Sequence, residues 1–292
     1  MRRAWLAVPL SFAACSILTN LDGLSGSDGG VDATTDAPTN VDSGADSPST
    51  LDGKADVTVL FGCDAGAQSG LAAYYPLDET SGNVVHDCSG AGLPNDGTLL
   101  SPSHAMWTAG RIGGGLMLTG ADAGGVDFAG AVTFDFGGVP TAPPFSVALW
   151  LDLTANASDG QRSFVTGKAS NVYAQGWRIS IDFVDLTVHL SLPGGDGGIA
   201  DVGTSAGVAL NTFNHLAVVY DASANATLYL NGTPTGSLQM PVGFPSDTTV
   251  GDHLRIGVSS DNQHFLRGVV DDVRFYTRAL SSAEITALVN GP

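Results

Sequence analysis

Two adjacent carboxylates, Asp271 and Asp272, stand in the middle of FLRGVVDDVRFYTRALSSAEITALVNGP, the run that begins at Phe265. Neighbouring carboxylates suit two chemistries: acid–base cleavage of a glycosidic bond, or coordination of a hard cation such as calcium. Cleavage of most glycosides needs two carboxylates flanking the scissile bond. Glu79 and Glu284 are the only glutamates in the chain, one in a turn and the other at a helix start. Aspartates are abundant, and no spacing singles out a catalytic pair. Gly203-Thr204-Ser205-Ala206-Gly207 matches G-x-S-x-G, but a nucleophile elbow needs a helix after the serine. VALNTFNHLAVVYD follows instead, a loop leading into a strand. The histidines at 86, 104, 189, 215, 253 and 264 never fall at i, i+2 or i, i+4, so no zinc site is indicated. His215 reads as a structural residue inside a strand.

The elements that must position these groups are strands. Val270, Val273 and Phe275 break strict two-residue alternation at Asp271-Asp272, the mark of a β-bulge. Ser281-Ser282-Ala283-Glu284 then forms a capping box, Ile285 and Leu288 give a short helical stripe, and Gly291 ends it. Upstream, strands are expected at Leu71–Leu77, Gly115–Leu118, Phe145–Leu153, Arg178–Phe183, Leu186–Leu192, His215–Tyr220, Thr227–Leu230, His253–Val258 and Leu266–Tyr276. Asn231-Gly232 is a hairpin turn with Thr233 to Leu238 returning. No helical period precedes Ser281, and no βαβ pattern occurs. The expected fold is all-β, a two-sheet antiparallel sandwich with a short C-terminal helix.

The first 56 residues read differently. Met1-Arg2-Arg3 is basic, Ala4 to Phe12 is a short apolar stretch, and Ala13-Ala14 precede Cys15. This is a secretory signal, and the cysteine makes residues 1–15 resemble a bacterial lipoprotein signal, with lipid expected on Cys15. Residues 16–56 are rich in Asp, Ser, Thr, Gly and Ala and contain no aromatic, so they are read as an acidic disordered tether. Residues 57–292 form the β domain. Lipidation of Cys15 leaves Cys63 and Cys88 in a compartment that permits a disulfide; the alternative is two inert thiols. Net charge is -18, and Lys54 and Lys168 are the only lysines, which excludes nucleic acid as a partner. The expected location is the bacterial cell envelope, extracytoplasmic, with the chain lipid-anchored to the outer membrane.

From Leu71 onward, seven pieces in order resemble the LamG-like, concanavalin A-like jelly rolls of bacterial surface proteins. They are LAAYYPLDETSGNVVHDCSG, GTLL at Gly97, WTAGRIGGGLMLTG from Trp107, FSVALWLDL from Phe145 with Trp150 as the buried tryptophan, FNHLAVVYD with ATLYLNG, LRIG at Leu254, and GVVDDVRFYTRALSSAEI. The resemblance implies a jelly-roll sandwich that acts mainly as a non-catalytic binding or adhesion module. It also implies one structural calcium, with Asp78 and Asp271 as side-chain ligands and Asp87 next. The alternative at Asp271 and Asp272 is a bulge facing water or paired with Arg274 or Arg267. Glucanases of this fold carry paired glutamates on one strand as Glu-x-Asp-x-Glu, a motif absent here. Trp177 is the candidate aromatic for stacking on a sugar, against a core role. A polysaccharide or surface glycoprotein is therefore the expected partner, with a polysaccharide-degrading enzyme or a purely structural envelope protein as alternatives.

Overall fold

The computed structural model describes residues 68–91, 95–121, 124–129, 134–154, 161–169, 175–194, 197–247 and 253–291. The signal and tether readings of residues 1–56, with Cys15, fall outside the described residues, and so does Cys63. In chain order the strands are β1 (Leu71–Tyr75), β2 (Val84–Val85), β3 (Gly97–Leu99), β4 (Ala105–Ala109), β5 (Gly114–Thr119), β6 (Val126–Phe128), β7 (Phe145–Leu153) and β8 (Ser163–Ala169). They continue with β9 (Gly176–Ile181), β10 (Thr187–Pro193), β11 (Ile199–Gly207), β12 (Phe213–Tyr220), β13 (Asn225–Leu230), β14 (Thr233–Gln239), β15 (Leu254–Ile256) and β16 (Arg267–Tyr276). Among the described residues one α-helix, α1 (Ser282–Asn290), follows β16.

Two eight-stranded antiparallel sheets face each other. The first runs β14-β13-β12-β7-β16-β5-β4, with β1 also pairing β16, and the second runs β11-β10-β9-β8-β15-β6-β3-β2. The fold is thus the expected two-sheet sandwich. β7 shows why it forms: Phe145, Val147, Leu149, Leu151 and Leu153 alternate onto one face and all enter the inter-sheet core. β12 pairs with it in register from Phe213↔Asp152 to Tyr220↔Phe145. The aromatic centre of this core stacks Phe136 on Phe145 at 4.5 Å and sets Phe134 against Phe275 at 4.9 Å.

The bulge in β16 is present. Register shifts between Asp271 and Arg274, and Asp272 has φ 51. The extra residue keeps both Val270 and Val273 in the core although they are three apart. The capping box also forms: the Ser281 hydroxyl accepts from the Glu284 N–H, and Glu284 Oε2 accepts from the Ser281 N–H at 2.8 Å. Gly291 ends the helix with φ 69. Ile285 and Leu280 are then buried against Tyr74, Ala148, Ala217, Val219, Tyr229 and Tyr276 on the outer side of the first sheet. The helix therefore covers part of that face, while the described residues place no helix on the outer face of the second sheet.

Candidate functional site

Three strands set one row of side chains across the outer side of the first sheet. Asp271 of β16 is opposite Trp150 of β7, which is opposite His215 of β12. All three are buried, as is Asp272, so neither carboxylate of the bulge faces water; Asp272 accepts from Arg274 Nη2 at 3.0 Å. Asp271 Oδ2 accepts two backbone N–H groups, from Arg111 at 2.7 Å and Ile112 at 2.9 Å. Those residues belong to the turn between β4 and β5, whose Gly110 lies so close that a Cβ there would fall 2.6 Å from Asp271 Oδ2. Asp78 reaches the same turn from the other side, accepting from the Gly114 N–H. Burial, then the charges of Asp272 and Asp78, push the Asp271 carboxyl up to about 7 despite its two N–H donors. Its Oδ1 is buried without a partner.

Asp78 and Asp271 thus converge, and Asp87 does not join them. Both oxygens of Asp87 are spent on the Tyr74, Ser89 and Asn95 N–H groups and the Asn95 amide, at 2.9 to 3.2 Å. Among the described residues no three His, Cys, Asp or Glu side chains gather as a metal cluster. The unpartnered Asp271 Oδ1 is a hard oxygen of the kind calcium takes, so the fit is in kind for Asp78 and Asp271 alone. Cys88 is buried in the cluster beneath α1.

Trp177 has to be corrected. It is 1 % exposed, with Nε1 donating to the Phe134 carbonyl at 2.9 Å and its ring 5.3 Å from Phe136. Neither ring face is open to a sugar. The strand expected over Arg178–Phe183 leaves Trp177 at its end, whereas β9 begins at Gly176 and sets Trp177, Ile179 and Ile181 inward.

Arg178 and Ser180 consequently point outward. Register then carries one outer row across the whole second sheet: Asp201, Ser191, Arg178, Gly167, Arg255, Asp127, Thr98 and Val84. Ion pairs brace it. Arg162 Nη1 holds both Asp201 oxygens at 3.1 Å, and Arg255 Nε donates to Asp127 at 3.0 Å. Ser191, Asp201 and His189 are the residue types of a hydrolytic triad, but Asp201 sits in the middle. Ser191 Oγ donates to Asp201 Oδ1 at 2.6 Å while His189 Nδ1 is 2.8 Å from Oδ2. No base reaches the serine, so nucleophile activation is not built. Burial works against the Asp201 charge, yet the bonds from His189 and Ser191 and the Arg162 charge hold its carboxyl below the ordinary range. That is opposite to what a general acid requires.

Beside this row a cavity of about 230 Å³ opens between β8 and β9, lined by Gln161, Arg162, Phe164, Arg178, Ser180, Asp182, Phe183 and His264. Ser180 Oγ is buried there without a partner. Phe183, expected at the end of a strand, lies in the turn after β9 and is 40 % exposed at the rim.

A family profile described as the concanavalin A-like lectin/glucanases superfamily matches residues 96–286. The chain belongs to that superfamily. Among solved structures, this lectin/glucanase-type sandwich is similar to the binding domain of Paraclostridial Mosquitocidal Protein 1. The identity is 18 % and the TM-score 0.58, over 76 % of this chain and 52 % of that one. Domain 4 of AbnA, a GH43 extracellular arabinanase from Geobacillus stearothermophilus solved with arabinotriose, aligns at 21 % identity and TM-score 0.55, over 76 % of this chain and 99 % of that domain. The Trypanosoma rangeli sialidase solved with the inhibitor DANA aligns at 18 % and 0.52, over 76 % and 33 %. No curated protein sequence matches the chain. At these identities the structural likenesses establish the fold.

Proposed function

We propose that the protein is a glycan-binding module that uses the outer face of its second sheet, displayed extracytoplasmically through lipid on Cys15. The observation that carries the reading is the cavity between β8 and β9. It combines a buried hydroxyl with no partner, charged side chains fixed by one another, and an exposed aromatic ring. Sugar recognition needs this mixture: fixed donors and acceptors for hydroxyl groups and an apolar surface for the C–H face. The first sheet lacks such a surface beneath α1, where its outer side is packed. Support also comes from the superfamily and from the similarity to the binding domain of Paraclostridial Mosquitocidal Protein 1 and to an arabinanase domain solved with arabinotriose.

A degradative role draws less support. Asp182 and Asp201, the carboxylates nearest the cavity, are both tied to Arg162, and the carboxyl that is raised, Asp271, is buried in the opposite sheet. A structural calcium at Asp78 and Asp271 belongs to the same reading, as a stiffener of the β4–β5 turn.

The test is a panel of plant, bacterial and animal polysaccharides in affinity electrophoresis with the purified full chain. At least one should retard the protein, and Phe183→Ala should weaken that retention about tenfold, or about 1.4 kcal/mol. Migration unchanged by every polysaccharide would remove the glycan reading in favour of protein adhesion or a structural role.

A further inference from the structure

A groove of about 370 Å³ lies on the outer side of the first sheet, between the start of β1, the end of β16 and α1. Tyr276, Leu280, Ala287 and Leu288 supply its apolar surface. Leu288 packs against the cluster beneath α1 yet is only half-buried, and Ala287 is exposed. The charged side chains beside them, Arg278 and Glu284, are spent. Arg278 donates from Nε to the Ser69 carbonyl at 2.7 Å, from Nη1 to the Ala279 carbonyl at 3.4 Å and from Nη2 to Glu284 Oε1 at 2.6 Å. Glu284 Oε2 accepts from the Ser281 N–H and hydroxyl, both at 2.8 Å. With its charges satisfied, the groove calls for an apolar occupant.

The described residues begin at this groove. Gln68 and Ser69 line it, with the Tyr276 hydroxyl donating to Gln68 Oε1 at 2.7 Å and the Thr277 N–H donating to the Gly70 carbonyl at 2.8 Å. Whatever precedes Gln68 therefore starts at the groove wall. Upstream stands VTVLF at residues 57–61, the one place between Leu24 and Leu71 where large apolar residues are side by side. Val57, Val59 and Phe61 alternate, so one face of that run, if extended, is wholly apolar. Phe61 is seven residues before Gln68, a reach of at most about 25 Å, whereas α1 rises only about 6 Å from Glu284 to Leu288. Cys88 marks the same place independently, being buried in one cluster with Tyr276 and Leu280. A bridge to it from Cys63 would hold the end of the apolar run within about 7 Å of that cluster's cysteine.

We propose that residues 57–61 seat in this groove, so that the chain's own apolar run covers the open flank of α1. A segment joined to the groove wall by a few residues competes at an effective concentration that no separate partner reaches. A net charge of -18 also sets second copies of the chain against one another. Burial removes from water both the exposed side of Leu288 and the run itself. The chain then enters the domain on the α1 side, and the outer face of the second sheet, with the β8–β9 cavity, stays clear of it.

The experiment is limited chymotrypsin digestion of the full chain, following cleavage after Leu60 and Phe61 by mass spectrometry. Ala287→Lys, an exposed helix position far away in sequence, should crowd the groove and speed that cleavage at least about tenfold. Both cysteines are untouched in this variant, so a bridge alone cannot produce the change. Thermal melts supply a second reading through a double-mutant cycle. Phe61→Ala and Leu288→Ala should each lower the Tm, and together by clearly less than the sum of the two. Cleavage equally fast in the parent and in Ala287→Lys, or strictly additive losses in the cycle, overturns the seat. Protection of the parent that disappears on tenfold dilution also overturns it, in favour of a second copy as the occupant.

Discussion

His215 shows how much one buried side chain can report. It lies 1 % exposed, its ring 5.1 Å from Trp150 in an edge arrangement, and its Nδ1 has no partner. Burial, then the Arg274 charge, lowers its pKa to about 4. In the unfolded chain the ring protonates near its ordinary value, so between about 6.5 and 4 the unfolded state binds the extra proton and stability falls as pH falls. The full loss is about 3 kcal/mol. Asp271 works in the opposite sense because its pKa is raised, so His215 has to be isolated by difference. Urea unfolding of the parent and of His215→Asn at pH 7 and pH 4 should show the parent losing about 3 kcal/mol more than the variant. Parallel losses would mean that the ring titrates normally in the fold. His215 was legible as a structural strand residue, but its pairing with Trp150 depends on a register that sequence does not fix. Trp177 was a sugar-contact candidate because the expected strand starts one residue after it, and the outward facing of Arg178 and Ser180 likewise depends on the register of β9.

At the scale of elements, the turn between β4 and β5 depends on groups remote in sequence. Its Arg111 and Ile112 N–H groups end on Asp271, and its Gly114 N–H ends on Asp78. A cation bound by those two carboxylates would neutralise their mutual repulsion and tie the hairpin to β16. Thermal melts of the full chain should therefore rise in millimolar calcium relative to excess EGTA, and Asp78→Asn should abolish the difference. Superimposable parent melts would remove the cation. Elements with strong local chemistry were readable: the Asn231-Gly232 hairpin, with φ 51 and 80, the bulge at Asp272, and the capping box at Ser281. β8 and β11 were not among the expected strands. SFVTGKA is interrupted by Gly167 and IADVGTSAG is mostly small residues and glycine, so their neighbours in the sheet are what hold them extended. The GTSAG match accordingly lies within β11. The cavity was missed for a related reason, since its wall is assembled from three separated stretches of chain.

At the scale of the whole molecule, the cysteines make one prediction. A bridge between Cys63 and Cys88 would close a loop of roughly 25 residues, worth about 3.5 kcal/mol in the chain-entropy model. Intact mass of the protein extracted from membranes should carry a lipid increment at Cys15 and gain two hydrogens on reduction. An unlipidated mass would remove the anchor, and a mass unchanged by reductant would remove the bridge.

The two sheets also meet along one side, where Gly236 of β14 passes so near β11 that a Cβ on it would collide with the Gly203 carbonyl. Such a seam leaves no space for a visiting strand, and β2, at the far end of the second sheet, is only two residues long. Exposed sheet margins are where like molecules zip together. Along that seam, copies crowded at high density find no edge to which a strand could be added.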